Sequence, residues 1–389
     1  MQLWCWLMLL ATCSANADVV QGLYRAKVAV NDQSARAQTR AIQQAFRDVM
    51  VKVSGSRELL AEPVIKNSIN NAGQYLRQYQ FDSHRNQQFF VAEFDAPKID
   101  RLLIDAGLPI WGSYRPSVLL WIADETPQLE KILYTEYSTD DFKIWLHDAS
   151  ERRGLSINFP IVKLDDSTDS KINTTVYDVW GRFSDNIIAA SEPYAPEVVM
   201  SVRVYQQRQM TKEFQVQVPD SYLSPVPFLD DSDQLEQSPQ PEKTPEVIGY
   251  QADWFIAYGN HYIDKSFQAD SKSQLAALLI DALADELAST FAVQTAVDIA
   301  SNQASETFIT LNNINSIGAY VAAQNYFTSL QAVTDIQLRT LNGVTAVFQV
   351  SLIGQEQNLI NTLRLDDKVQ RVTDAFGRPT QALEFVWIP

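Results

Sequence analysis

Two periods of apolar residues alternate along this chain, and each change of period predicts a new element. "GLYRAKVAV" alternates with period two and predicts a strand from about Leu23 to Val30. Apolar residues then recur at helical spacing from Ile42 to Val53, until Gly55 ends the pattern. A second helix is predicted from Pro63 to about Gln78, followed by a hairpin in "QFDSHRNQQFFVAEFD" with its turn at residues 84–86.

The first third of the chain is completed by a short helix and an unusually apolar strand. Pro97 opens the helix, Gly107 closes it, and "SVLLWIAD" is apolar enough to be buried on both faces. The resulting order is β, α, β, β, α, β, with one additional helix. That order predicts a ferredoxin-like split βαβ module over residues 18–125.

The middle of the chain, residues 126–300, predicts a larger α/β domain. Its expected helices span about residues 128–153, 176–183, 185–190 and 273–293, and strands are expected in "LSINFPIVKLDD", "EVVMSVRVYQQ", "EFQVQV" and "VIGYQADWFIAYG". Between Pro219 and Glu246 lie six of the sixteen prolines together with an acidic excess. Because proline at that density prevents a packed element, we expect a disordered insertion there.

The last part, residues 301–389, repeats the order of the first. "ETFITL" predicts a strand, Ile317 to Leu330 a helix, and "AVTDIQLRTL" and "VTAVFQVSLI" a hairpin turning at Asn342-Gly343. A helix from Gln355 to Leu363 and a closing strand "ALEFVWI" complete a second ferredoxin-like module. The fold class is therefore predicted as α/β (α+β), with such modules at both ends of the middle domain.

The N-terminal residues predict export. "MQLWCWLMLLATCSANA" is apolar from Leu3 to Ala11 and ends in the Ala-x-Ala pattern of a signal peptide spanning residues 1–17, although it has no basic residue. We therefore expect a periplasmic protein; the alternative is an outer-membrane lipoprotein anchored through Cys13. Both cysteines lie in the leader, so the mature chain is expected to contain no disulfide or thiol chemistry. No later apolar run reaches the ~20 residues of a membrane span.

Charge and motif spacing exclude several functions. The net charge of −16 disfavours nucleic acid as a partner. The thirteen glycines are never spaced as in dinucleotide-binding loops, phosphate-binding loops or the G-x-S-x-G nucleophile elbow. His84, His147 and His261 lie in separate regions, and "LDDSTDS" lacks the glycine and glutamate of a calcium loop. We expect no cofactor, no metal site and no assignable catalytic residue.

Two groups of residues are candidates for a protein interface. Trp111, Tyr114 and Arg115 combine the residue types that dominate binding energy at interfaces. The alternative, which we favour, is a packed corner in which Arg115 ties a domain boundary by hydrogen bonds. Arg36, Arg40 and Arg47 form one stripe on the first helix, which is either an anion-facing surface or an ordinary solvated face.

Several segments resemble a known family. "KVSGSRELL", "YLRQYQFD", "FFVAEFD", "GLPIWGSYRPSVLLWIADE" and "ERRGLSINFPIVKLDD" are similar to the gammaproteobacterial exported family called domain of unknown function two thousand and sixty-six. The resemblance covers roughly Asp18 to Tyr205 and implies an envelope location without catalytic residues.

These observations lead to one expectation about function. We expect a non-catalytic periplasmic adaptor that binds another envelope component, most simply an envelope protein, through its α/β modules. The rival expectation is a periplasmic hydrolase acting on glycan or peptide through carboxylates or an unrecognised triad.

Overall fold

The computed structural model contains three β-sheets, each covered by helices on at least one face. It describes residues 20–84, 87–113, 115–161, 170–209, 246–259, 261–293, 305–353, 355–364, 368–373, 378–380 and 382–388. Its helices are α1 Ala35–Ser54, α2 Pro63–Asn70, α3 Ala96–Asp105, α4 Asp141–Arg153, α5 Ser170–Gly181, α6 Ser184–Ser191, α7 Lys272–Phe291, α8 Ile317–Ser329 and α9 Glu356–Leu363. The predicted mixed class of several modules is confirmed.

The N-terminal sheet has three antiparallel strands in the order β1-β3-β2: β1 Arg25–Val30, β2 Leu76–His84 and β3 Gln87–Phe94. The apolar face of α1 packs on β1 and β3 because Phe46, Val49 and Met50 recur on one side of the helix and are fully buried. The predicted hairpin is present, whereas the second helix ends at Asn70 instead of reaching Gln78.

The middle sheet has the order β5-β4-β7-β8-β9, with β6 paired to β4. Its strands are β4 Val118–Glu125, β5 Lys131–Leu133, β6 Ile157–Asn158, β7 Val198–Gln209, β8 Glu246–Tyr258 and β9 His261–Ala269. One face is covered by α4 and α7, and the other by α5 and α6. The predicted helix over residues 128–153 begins only at Asp141, after β5. The hairpin strand β9 follows β8 where no strand was predicted.

The strand expected to complete the N-terminal module belongs instead to the middle sheet. "VLLWIADE", β4, pairs in parallel with β7 and is buried along almost its whole length. Its residues divide between two cores: Val118, Leu120 and Ile122 face α4 and α7, and Leu119 and Trp121 face α5 and α6. A strand buried on both faces needs helices on both sides, and the largely exposed β2 shows that the N-terminal sheet lacks them. The predicted boundary at residue 125 therefore cuts through the middle sheet.

The C-terminal sheet has the order β11-β12-β10-β14-β13: β10 Ser305–Asn312, β11 Val333–Asn342, β12 Thr345–Leu352, β13 Val369–Arg371 and β14 Leu383–Trp387. The split βαβ arrangement of β10, α8 and β11 is present, with β12 between the strands. The closing strand differs from the ferredoxin-like pattern because β14 runs parallel to β10, after the unpredicted strand β13 has reversed the chain. The expected insertion at 219–246 lies outside the described residues except for Glu246.

Candidate functional site

The junction between the N-terminal and middle sheets contains the residues that the sequence singled out. Trp111 and Arg115 are 1% and 0% exposed. They lie where the chain leaves α3 and enters β4, beside the C-terminal ends of α1 and α4. Both side chains are therefore buried inside the molecule, and neither offers a surface to a partner. Tyr114 lies outside the described residues.

Arg115 satisfies all its hydrogen-bond donors with main-chain oxygens. Its Nε donates to the carbonyl of Gly112, its Nη1 to those of Arg153 and Gly154, and its Nη2 to those of Lys52 and Trp111, at 2.6–2.9 Å. The guanidinium also lies 4.1 Å from the centre of the Trp111 ring. Such bonds are the ones expected of a packed corner.

The carbonyls that Arg115 binds supply negative potential without a carboxylate. Those of Lys52 and Arg153 are in the last turns of α1 and α4, where helix dipoles leave partial negative charge. Burial and, secondarily, the nearby Arg153 cation lower the pKa of the Arg115 guanidinium. Five accepting oxygens hold the protonated form in place, as guanidinium chemistry requires.

A second buried arginine extends this junction onto α7. Arg153 is 4% exposed, and its guanidinium contacts Asp281 at 3.0 Å, Asp285 at 2.6 Å and the carbonyl of Gly55 at 2.7 Å. Arg57 forms an ion pair with the same Asp281. The cluster connects the loop after α1 to α4 and α7 of the middle domain, which is a structural role.

The arginine stripe on α1 has a different environment. Arg36 and Arg40 are exposed, and Arg47 is half-buried. They lie on the helix that covers the N-terminal sheet. Their role as an anion-facing surface stays a prediction.

Buried carboxylates of the middle sheet are engaged by neighbouring side chains. Asp124, at the end of β4, accepts hydrogen bonds from Tyr134 and Lys272, and burial raises its pKa. Asp253 on β8 binds Arg203 at 2.7 Å and Ser266 at 2.6 Å. Burial raises its pKa, but the hydrogen bonds from Ser266, Arg203 and Gln251 together with the Arg203 charge outweigh burial and lower the pKa. Tyr134 and Lys272 contact one oxygen of Asp124, and Arg203 and Ser266 contact Asp253, so both carboxylates take part in interactions inside the middle domain.

The histidines are dispersed, as their positions in the sequence predict. The His147 ring lies 5.6 Å from Phe159, and the His261 ring lies 5.0 Å from Tyr258. Burial, with Lys143 nearby, lowers the pKa of His147. His84 ends β2, and its side chain is outside the described part, as are residues 164–169 of the acidic turn. The described residues hold no group of three histidine, cysteine, aspartate or glutamate side chains placed to bind a metal.

Two cavities bear on ligand binding, and they differ greatly in size. One, of about 10 Å³, lies beside Trp111 and Gln331 and has room for no more than a water. The other is a groove of about 500 Å³ on the C-terminal module, which we call the α8 groove. That volume lies within the ~300–1,000 Å³ typical of ligand sites. Its lining residues are Asn315, Ser316, Gly318, Ala319, Ala322, Asn325, Tyr326, Lys368 and Trp387.

The α8 groove joins the start of one helix to the end of one strand. Ser316 caps the N-terminus of α8 by accepting from the amide of Ala319 at 3.1 Å. Trp387, the last residue of β14, is 3% exposed and forms the floor with Tyr326, whose ring lies 5.7 Å away. Sequence reasoning missed this site because the serine and tryptophan are separated by about seventy residues. The only local signal was a serine before an apolar helix.

Comparison with known proteins adds a family match at the N-terminal end. Residues 17–112 match a family described as a domain of unknown function, DUF8605. The expected membership of domain of unknown function two thousand and sixty-six is therefore wrong, because a different family matches. The matched range includes the N-terminal sheet and ends before the first residue of β4, which belongs to the middle sheet.

No curated protein matches the chain. A crystal structure of S. aureus homoserine dehydrogenase at pH 6.5 is similar over 29% of this chain and 29% of that chain, with 12% identity and a TM-score of 0.13. A similarity that weak carries no argument about fold or activity. Among the described residues, no helix has both the length and the apolar character needed to cross a membrane.

Proposed function

We propose that this protein is a non-catalytic periplasmic protein that binds another component of the cell envelope. One observation carries the proposal: the α8 groove has the size of a ligand site, but the described residues that line it include no carboxylate and no histidine. A hydrolytic site needs a base or nucleophile close to the bound molecule. A groove that offers binding groups without such a base is better suited to binding a molecule than to converting it.

The arrangement of the charged side chains supports the same proposal. Arg115 and Arg153 join secondary structure elements, and Asp124 and Asp253 bind neighbouring cations. These interactions therefore hold elements of the fold in place, which suits a protein that presents surfaces to a partner.

The periplasmic location rests on the leader pattern at residues 1–17. We expect N-terminal sequencing and intact mass of the mature protein to give a chain beginning at Asp18 without an acyl group. A chain retaining Met1 in the cytosol would overturn the location. Acylation at Cys13 would replace the free periplasmic protein with a lipoprotein.

Partner binding is tested by crosslinking in intact cells, followed by capture of the full-length protein. We expect one envelope component to be enriched reproducibly and to bind the purified chain in a second assay. Turnover of a glycan or peptide by the purified protein, without stable binding of a partner, would overturn the proposal.

A further inference from the structure

The N-terminal end of α8 presents positive potential to the α8 groove. Ser316 accepts from the amide of Ala319, and its carbonyl accepts from the amide of Tyr320 at 3.0 Å. Neither bond uses the first two amides of the helix, those of Ile317 and Gly318. The first turn contains no acidic residue, although carboxylates commonly occupy that position. The dipole of this thirteen-residue helix is therefore uncompensated by its own side chains.

The indole of Trp387, on the other side of the groove, lacks a hydrogen-bond acceptor among the described residues. Trp387 is buried, and its Nε1 finds no hydrogen-bond partner among the described residues. A buried donor without an acceptor has lost its hydrogen bond to water without replacement, so an acceptor supplied by a ligand stabilises this site. Trp111 and Trp254 also have unpartnered indole nitrogens. Trp387 differs from Trp111 because its groove can hold more than a water.

The remaining lining defines the charge and shape of the occupant. Among the described lining residues Lys368 is the one cation and there is no carboxylate, although the whole chain carries a net charge of −16. Gly318, Ala319 and Ala322 are small and leave the helix surface open to close approach. Tyr326 and Trp387 add aromatic surface to the same lining. An anionic group attached to an apolar body matches this combination.

We propose that the α8 groove binds the C-terminal end of a peptide, with its terminal carboxylate at the N-terminus of α8 and beside Lys368. The peptide's last side chain packs against Ala319, Ala322 and Tyr326, and a peptide carbonyl accepts from the Trp387 indole. Asn315 and Asn325 offer amide groups to the peptide main chain. Capture of a terminal carboxylate by main-chain amides is an established mode of peptide recognition. The assignment rests on the proposed binding function and specifies its ligand.

The first test compares two peptides that differ only in terminal charge. The full-length protein is titrated with N-acetyl-Ala-Ala-Leu bearing a free carboxylate and with its C-terminal amide. Binding is followed by calorimetry and by the indole N–H resonance of Trp387, assigned with W387F. We expect the carboxylate form to shift that resonance and to bind at least tenfold more tightly, since a charge-assisted hydrogen bond is lost on amidation. Equal binding of both forms, or no shift, overturns the proposal.

A matched pair of variants tests the position of the carboxylate. Aspartate and asparagine both cap helices as well as serine does, so S316D and S316N should fold with similar stability. We expect S316D to weaken binding of the carboxylate peptide at least tenfold by charge repulsion, and S316N to remain within threefold of the natural protein. Equal binding by both variants places the carboxylate elsewhere and overturns the assignment.

Two further outcomes separate this site from the function on which it rests. Inorganic phosphate that displaces the peptide completely at equal concentration shows a general anion site and overturns the peptide assignment. If S316D still captures the envelope partner in cells as the natural protein does, the groove is not the partner site, while the binding function stands. Failure of the natural protein to capture any partner counts against the function itself, independently of the peptide titration.

Discussion

At the scale of single residues, Arg115 shows how a composition typical of interfaces can serve the interior. Its neighbours in sequence, Trp111 and Pro116, belong to the same buried corner. The sequence shows an aromatic and an arginine close together, which fits either role. Whether Arg115 serves an interface or the interior depends on the carbonyls of Lys52 and Arg153. Folding brings them next to Arg115 from 63 and 38 residues away in the chain.

Replacing Arg115 by lysine should destabilise the fold strongly. Lysine cannot reach five carbonyl oxygens in a plane, so several buried acceptors lose their partners. We expect R115K to lower the free energy of unfolding by about 3 kcal/mol or more, measured by urea denaturation. The control R40K, on the exposed face of α1, should change it by no more than about 0.5 kcal/mol. Similar small changes in both variants would contradict the buried network.

Lys52 makes the free energy of unfolding depend on pH in the alkaline range. It is 5% exposed, its ammonium donates to the carbonyl of Arg25 at 2.9 Å, and burial lowers its pKa to about 8. The unfolded chain has the ordinary lysine pKa of about 10.4. Between these values the unfolded state binds more protons than the folded state, so this group makes stability rise with pH.

The variant K52M isolates that contribution. Below pH 8 methionine avoids the penalty of a buried charge, and this advantage should shrink by up to about 3 kcal/mol as the pH rises toward 10.5. Urea denaturation of both proteins across this range gives the difference, in which contributions from tyrosines cancel. Curves that stay parallel would show that Lys52 is not desolvated.

At the scale of elements, glycines set how closely the helices meet at the junction. Gly55 ends α1 with φ +78°, and an added Cβ would lie 2.3 Å from Cβ of Ala288 on α7 and 2.9 Å from the Trp111 ring. The sequence identified Gly55 correctly as a helix end. The contact with α7, more than 230 residues later, required the folded chain.

Replacing Gly55 by alanine should therefore lower the free energy of unfolding by more than the positive φ at this position alone explains. The suitable control is G343A, because Gly343 has φ +62° in the β11–β12 turn and open space around it. We expect about 1–2 kcal/mol of destabilisation from G343A and at least about 2 kcal/mol more from G55A, because its Cβ overlaps α7. Thermal or urea unfolding measures both, and equal losses would contradict the close packing of α1 against α7.

At the scale of the whole molecule, contacts between residues far apart in the chain join the modules. Ile110 and Val293 exchange main-chain hydrogen bonds at 2.8 and 2.9 Å, and the Trp111 amide donates to the carbonyl of Val53 at 2.6 Å. Gln331, from the C-terminal module, donates to the Tyr24 hydroxyl at 3.2 Å. The described modules are thus joined by buried contacts.

We expect these contacts to make unfolding cooperative. Tryptophan fluorescence and far-UV circular dichroism of the natural protein should give coincident urea transitions. W111A removes the side chain wedged at the junction and should separate the two transitions. W145A, which removes a partly buried ring from the middle core alone, should lower stability without separating them. Coincident transitions in W111A would show that the modules are coupled elsewhere.

The sequence by itself determined the elements whose signals are local. The long amphipathic α1, the Asn342-Gly343 turn, the doubly buried strand β4 and the first five elements of the C-terminal module were all predictable, because periodicity and turn chemistry act between neighbouring residues. Strands β9 and β13 have too little alternation of apolar and polar residues to be predicted. Strand β5 lies in a segment whose apolar spacing predicts a helix.

Only the tertiary structure decided which sheet each strand joins and which side chains meet. β4 lies in the middle sheet because its two apolar faces both require cover, and the direction of β14 depends on the short strand before it. The Arg115 junction and the α8 groove each combine residues far apart in the chain. Their proximity is a consequence of packing free energy summed over the whole molecule, which no local pattern encodes.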